Sequence, residues 1–182
     1  MSMNAGGFTL LETLLAMAIG SVMMLGAART LPLLQQQNLR LQMQVQLNEE
    51  LQQIMHTLEK AARRAGYCHG RCSGSAMQIH NGGRCLLVRW DENSNGQWES
   101  TGREDSDYYG FRLRAGNLEM QRGVDRCEGG GWEKLNDPRV IAIDEFRVVR
   151  NRQQVRLLLE GHSSAWPAMV QRTEHWLAAE NL

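Results

Sequence analysis

The feature that most limits this chain is a run of sixteen residues without a charge, Thr13 to Ala28, preceded by one acid, Glu12. From Phe8 the stretch reads Phe-Thr-Leu-Leu-Glu-Thr-Leu-Leu-Ala-Met-Ala-Ile-Gly-Ser-Val-Met-Met-Leu-Gly-Ala-Ala. As a helix, ~20 apolar residues span the hydrocarbon core of a bilayer. A carboxylate near the end of such a span is expensive to strip of water, and it marks a functional position by default. Glu12 therefore needs a partner that is neither lipid nor water.

The run Gly7-Phe8-Thr9-Leu10-Leu11-Glu12 and the apolar helix behind it resemble the N-terminus of type IV prepilins and of the pseudopilins of type II secretion. In that family a short leader ends in Gly, Phe follows, and an acid stands five residues into the mature chain. The resemblance implies cleavage after Gly7 by an inner-membrane prepilin peptidase, N-methylation of Phe8, and a role for Glu12 in subunit assembly. It extends to the layout of nearly the whole chain, a helix followed by a cysteine-bearing β domain, which looks most like minor pilins of the PulJ or PilW type. One departure stands out: residues Met1 to Gly7 carry no Lys or Arg, where family leaders usually do.

Physical chemistry gives the pattern a rationale. Removing the leader frees an amine on Phe8. In hydrocarbon that amine and the Glu12 carboxylate each need a counter-ion, because unpaired charges there cost several kcal/mol. A neighbouring subunit shifted along a filament can bring its Glu12 to this amine, and such a pairing sets register. A secretory signal peptide has basic residues before its apolar run and a small-x-small site after it. Here the cut implied by the resemblance precedes the run, so the apolar segment stays attached.

The implied division is a leader over 1–7, a membrane and filament-core helix over 8–28, an amphipathic continuation over 29–66, and a periplasmic β-rich domain over 67–182. The partners implied are the prepilin peptidase, the inner membrane, other minor pilins and the major pilin. The implied location is the inner membrane with the C-terminal domain in the periplasm, with incorporation into a pilus or pseudopilus. The 20 basic and 20 acidic residues balance, so no basic excess points to nucleic acid. Four cysteines behind a membrane-targeting segment fit an oxidising compartment.

Pro32 lacks an amide donor and crowds the preceding turn, so a bend or local melting is expected between Arg29 and Pro32. Leu33 to Ala65 is rich in Leu, Gln, Met and Glu, which favour helix, and has no Gly or Pro. Leu47, Leu51, Ile54, Met55, Leu58, Ala61, Ala62 and Ala65 fall on one face at helical spacing. Between Asn38 and Asn48 the apolar residues alternate with polar ones, which is also a strand signature. Helix is assigned because no turn signal interrupts the stretch. Gly66 is the expected C-cap.

Cys68, Cys72, Cys85 and Cys127 read as structural disulfides. A zinc site is disfavoured in an oxidising compartment, and Cys68-x-x-x-Cys72 lacks the two-residue gap of thioredoxin-like motifs. Three connectivities remain open, with a preference for Cys127 pairing with one of the earlier group and tying the β domain to the helix end. In Asp91-Glu-Asn-Ser-Asn-Gly-Gln-Trp-Glu99, residues Asp91, Asn93, Asn95 and Gly96 match the first half of an EF-hand calcium loop. Gly102 stands where the twelfth-position Glu belongs, leaving Glu99 as the substitute. The competing reading is a polar hairpin on Asn95-Gly96, with strands ending at Trp90 and resuming at Gln97.

Strands are expected over Arg84–Trp90, Asp107–Arg114, Asn117–Arg122, Val140–Val149, Gln154–Glu160 and Met169–Ala178, with a shorter piece around Met77 and Ile79. Ala115-Gly116 and Asn151-Arg152 are the expected tight turns. One long helix packed on an antiparallel β-sheet domain of about seven strands makes an α+β fold. His69, His80, His162 and His175 share no ligand spacing, and Gly161-His-Ser-Ser-Ala165 lacks the second Gly of a nucleophile elbow. No enzyme is expected. Trp132 and Trp166, on loops, are candidate interface anchors. The leading reading is a minor pilin subunit acting in initiation or tip assembly of a type IV pilus or secretion pseudopilus. The alternatives are a signal-anchored periplasmic binding domain, calcium-dependent in one version, and a thiol oxidoreductase.

Overall fold

The fold comes from a computed structural model that describes residue 7 and residues 9–182. Helix α1 runs over Leu10–Arg64, and the chain divides into two compact units, Met1–Met43 and Gln44–Leu182. The helix continues through Pro32 without the local melting expected there. A proline deletes one helical hydrogen bond, and the flanking leucines and glutamines are strong enough helix formers to carry the remaining ladder past it. Residues 38–48 are helical, so the alternation of their apolar side chains is not a strand. Leu39, Leu41 and Val45 are exposed in this single chain.

In the second unit the sequence period sets the packing. Leu47, Leu51, Ile54, Met55, Leu58, Ala61, Ala62 and Ala65 are all buried, which is the helical face read from their spacing. The helix stops where Gly66 adopts a left-handed φ of 90°, and the Gly66 amide donates to the Arg89 carbonyl at 2.8 Å. A Cβ on Gly66 would run into the main chain of Asn181, so the C-terminal tail closes over the helix end. His175 Nδ1 lies 2.8 Å from Glu59 Oε1 and fastens the helix to the last strand.

Among the described residues, eight strands form two antiparallel sheets. The first sheet has the order β1 (Met77–His80), β2 (Cys85–Arg89), β3 (Tyr108–Arg114), β4 (Asn117–Arg122) and β5 (Glu133–Lys134). The second has the order β6 (Ile141–Asn151), β7 (Gln154–Ser163) and β8 (Val170–Ala178). The α+β class stands, with one strand more than the seven expected and a division the local pattern does not encode. β5 is the addition: its two residues pair with Glu119 and Met120 inside a loop-rich stretch. Leu86, Phe111 and Leu118 of the first sheet and Phe146, Val148, Leu157 and Leu159 of the second close one core around the helix face.

Both expected hairpins form. Ala115 and Gly116 have φ of 48° and 73°, the positive pair that a two-residue primed turn requires. The other turn is centred on Arg152-Gln153 rather than Asn151-Arg152, because Asn151 and Gln154 pair as the closing residues of the ladder. The buried side chains of β6 switch from Ile141 and Ile143 to Phe146 and Val148, a change of phase that a strictly alternating strand cannot make. A bulge between Ile143 and Glu145 supplies the missing residue. The hairpin expected from Trp90 to Gln97 does not form. β2 pairs directly with β3, and residues 90–107 are an irregular excursion between them.

Candidate functional site

Thr9 and Glu12 build the start of α1. The Glu12 amide donates to Thr9 Oγ1 at 3.3 Å, and the Thr9 amide donates to Glu12 Oε2 at 3.3 Å. This is a capping box, two orphan donors satisfied reciprocally by Thr and by the acid three residues on. The Thr9 hydroxyl lies 3.4 Å from the same carboxylate oxygen. A carboxylate in the first turn also faces the positive end of the helix dipole. The acid that needs a partner outside lipid thus has one in its own chain. The pattern Thr-x-x-Glu signals this box in the sequence, and the reading of Glu12 as an assembly residue passed over it.

Gly7, the expected last residue of the leader, is exposed, and a Cβ placed there meets no atom within 4 Å. Among the described residues nothing crowds this position. Phe8 and residues 1–6, on which the leader and methylation readings fall, lie outside the described residues. From Leu10 to Leu34 every large apolar side chain among Leu10, Leu14, Leu15, Ile19, Val22 and Leu25 is exposed. By length and composition the helix can cross a membrane. The hydroxyls along it are already satisfied: Thr13 donates to the Leu10 carbonyl at 2.9 Å, Ser21 to Ala18 at 2.8 Å and Thr30 to Gly26 at 3.2 Å. Hydrocarbon demands such internal satisfaction, because it offers no acceptor of its own.

The four cysteines form two disulfides, Cys68–Cys72 and Cys85–Cys127. Cys127 pairs with one of the earlier group, but the bond joins β2 to the loop after β4 and does not tie the β domain to the helix end. Arg112 anchors the same loop. Its Nε donates to Glu119 Oε2 at 2.8 Å, its Nη1 to the Cys127 carbonyl at 2.7 Å, and its guanidinium lies 4.1 Å from the Trp132 ring centroid. Trp132 is therefore held within the domain and is half-buried, as is Trp166, while Trp176 on β8 is the exposed tryptophan at 62%. The strand position of Trp176 concealed it from a search of the loops.

Asp91, Asn93, Asn95 and Glu99 do come together in the 90–107 excursion. Asp91 accepts the amides of His69, Asn95 and Gly96 at 3.0, 3.0 and 2.9 Å. Burial works against its charge, but these amides hold its carboxyl below the ordinary value. Asn93 Oδ1 accepts the Asn95 amide at 3.0 Å, and Asn95 Oδ1 accepts the Gln97 amide at 3.1 Å. Glu99 Oε1 accepts Asn95 Nδ2 at 2.6 Å, which with Asp107 depresses the Glu99 carboxyl. Asp107, which carries no motif and was missed, is fully buried beside Glu99; burial and then the Glu99 carboxyl raise it to about 6. Among the described residues no three His, Cys, Asp or Glu side chains are grouped to hold a metal. His162 lies 2.7 Å from Asp144 and His80 lies 3.3 Å from Gln78, well separated in sequence and strand.

Comparison with known proteins agrees with this geometry. A family model described as prepilin peptidase-dependent protein B matches residues 40–179. A second, the prokaryotic N-terminal methylation motif, matches residues 2–28. The prepilin peptidase-dependent protein B of Escherichia coli (strain K12) is 47% identical over 150 residues, covering 82% of this chain and 80% of that protein. No solved structure matches. A methylation motif on an exposed apolar helix, continued by a family model that spans the whole β domain, places this chain in the family of prepilin peptidase-dependent protein B, pilin-like structural proteins with an N-terminal methylation motif.

Proposed function

We propose that this chain is a minor pilin subunit. Prepilin peptidase cuts it after Gly7 and methylates the Phe8 amine, and the subunit then joins other minor pilins and the major pilin in initiation or tip assembly of a type IV pilus or secretion pseudopilus. Before assembly the apolar helix rests in the inner membrane with the C-terminal unit in the periplasm. The observation that carries this reading is the methylation motif over residues 2–28, sited on a helix whose large apolar side chains from Leu10 to Leu25 are exposed.

The chemistry at the start of α1 explains what assembly would exchange. Once freed, the Phe8 amine stands just ahead of the helix, where the dipole repels a cation. The Glu12 of the same chain is engaged with Thr9. A neighbour's Glu12 neutralises the amine, and the exposed leucines and methionines of the two helices cover one another. The pairing fixes the stagger, because an apolar face alone slides. Mass spectrometry of the protein from cells with and without the peptidase tests this: N-methyl-Phe8 is expected only with the enzyme, and a functional protein that keeps residues 1–7 overturns it.

A further inference from the structure

The 90–107 excursion holds more negative charge than it neutralises. Glu99 is 4% exposed, and its Oε2 is buried with no donor bonded to it. Its other oxygen accepts Asn95 Nδ2, and its main-chain amide donates to Asp107 Oδ2 at 3.2 Å, which sets the two acids side by side. Asp107 spends its oxygens on the amides of Glu92 and Glu99. Among the described residues no Lys, Arg or His forms an ion pair with Asp91, Glu99 or Asp107. Neighbouring buried carboxylates cannot satisfy each other; they need a shared proton or a cation.

The rest of the loop supplies oxygen and nothing softer. Asp91 Oδ2 is filled by the His69 and Gly96 amides, but Asp91 Oδ1 and the side-chain oxygens of Asn93 and Asn95 each accept one main-chain amide and keep a second lone pair. Carboxylate and amide oxygens without nitrogen or sulfur select a hard cation. The spacing Asp91-x-Asn93-x-Asn95-Gly96 is that of the opening of a calcium loop, and Gly96 takes the sharp turn there with φ of 88°. Gly96 also admits a second support. A Cβ on Gly70 would lie 2.8 Å from the Gly96 main chain, so the small loop closed by Cys68–Cys72 packs directly on the calcium-like turn. From that loop His69 donates its amide to Asp91.

Among the described residues no three acids are gathered in metal-ligand geometry; we propose that one calcium ion gathers them, seated between the adjacent carboxylates of Glu99 and Asp107 and drawing in oxygens of Asp91, Asn93 and Asn95 to complete its shell. The ion replaces the missing donor at Glu99 Oε2 and the missing counter-charge of the pair.

The test is thermal unfolding of the full chain in detergent micelles, in EGTA and across a calcium titration. Calcium raises the melting temperature with a midpoint of about 0.1–1 mM, the range of extracellular calcium modules, and magnesium does not substitute. Glu99→Gln and Asp107→Asn weaken that response by about tenfold or more. Asn93→Ala, on the exposed side of the loop, keeps the fold and also weakens it, so the test survives if a buried variant fails to fold. Identical melting in EGTA and in about 5 mM calcium overturns the proposal. So does a Glu99→Gln protein that is more stable than the parent in EGTA while neither responds to calcium, since that marks a shared proton.

Discussion

The Thr9 amide donates to Glu12 Oε2 at 3.3 Å while the Thr9 hydroxyl accepts the Glu12 amide at the same distance. The acid at the head of the apolar helix is therefore engaged before any second subunit arrives. Losing such a cap costs about 1 kcal/mol, far less than the several kcal/mol of an unpaired charge in hydrocarbon. On the proposed pairing, a neighbour's free amine is expected to win Glu12 away from Thr9.

Two substitutions separate capping from charge. Glu12→Gln keeps a capping box, because Gln fills the same position, but removes the charge. It is expected to enter the membrane normally and to fail in co-assembly. Thr9→Ala loses about 1 kcal/mol at the helix start and leaves Glu12 free, so assembly persists. Membrane fractionation and crosslinking to co-expressed pilins report both; equal assembly of Glu12→Gln and the parent rejects the charge pairing.

Arg112 is the polar hub of the first sheet. It and Glu119 are both largely buried, and it spans Glu119, the Cys127 carbonyl and the Trp132 ring. Arg112→Ala strands the Glu119 carboxylate and is expected to cost about 3–5 kcal/mol. Arg112→Lys recovers only part of this, because an ammonium cannot make the forked contacts or stack on the indole as a guanidinium does. Denaturant midpoints of the two variants in detergent give the comparison.

The two disulfides close loops of very different length, with sequence separations of 4 and 42. On the chain-entropy account, replacing Cys85 and Cys127 by serine costs about 4 kcal/mol and replacing Cys68 and Cys72 about 2 kcal/mol. Unfolding midpoints of the paired serine variants check the order. A larger loss from the short loop would show that its packing on Gly96 outweighs its entropy.

Gly66 combines a left-handed backbone with the Asn181 main chain pressed against it. Gly66→Ala is expected to cost more than about 1 kcal/mol, through both backbone strain and displacement of the C-terminal tail. Protease trimming at the C-terminus, faster in the variant, reports the second effect separately from melting temperature.

Particular residues show where sequence reading reached and where it stopped. The helix face from Leu47 to Ala65 was legible because burial on a helix repeats every 3.6 residues and nothing in that stretch breaks the period. The Ala115-Gly116 turn was legible because two alternating apolar strands flank a glycine that accepts the positive φ a two-residue turn needs. Asn95-Gly96 misled, since Asn-Gly makes hairpins wherever strands flank it, and here the amides that follow Asp91 fold back on its carboxylate instead. Asp107 gave no signal at all: its partnership with Glu99 spans eight residues of irregular chain and exists only after β2 pairs with β3.

The sequence by itself determined the apolar helix, its acid at the fifth residue after Gly7, the amphipathic face and most of the strands, because each is written in contacts within a few residues. Only the tertiary structure decided the split into sheets of five and three strands, the Cys68–Cys72 and Cys85–Cys127 pairing, and the burial of Glu99 against Asp107. Those depend on which distant segments meet, and local pattern is blind to that choice: a strand presents the same alternating face to any partner that can cover it.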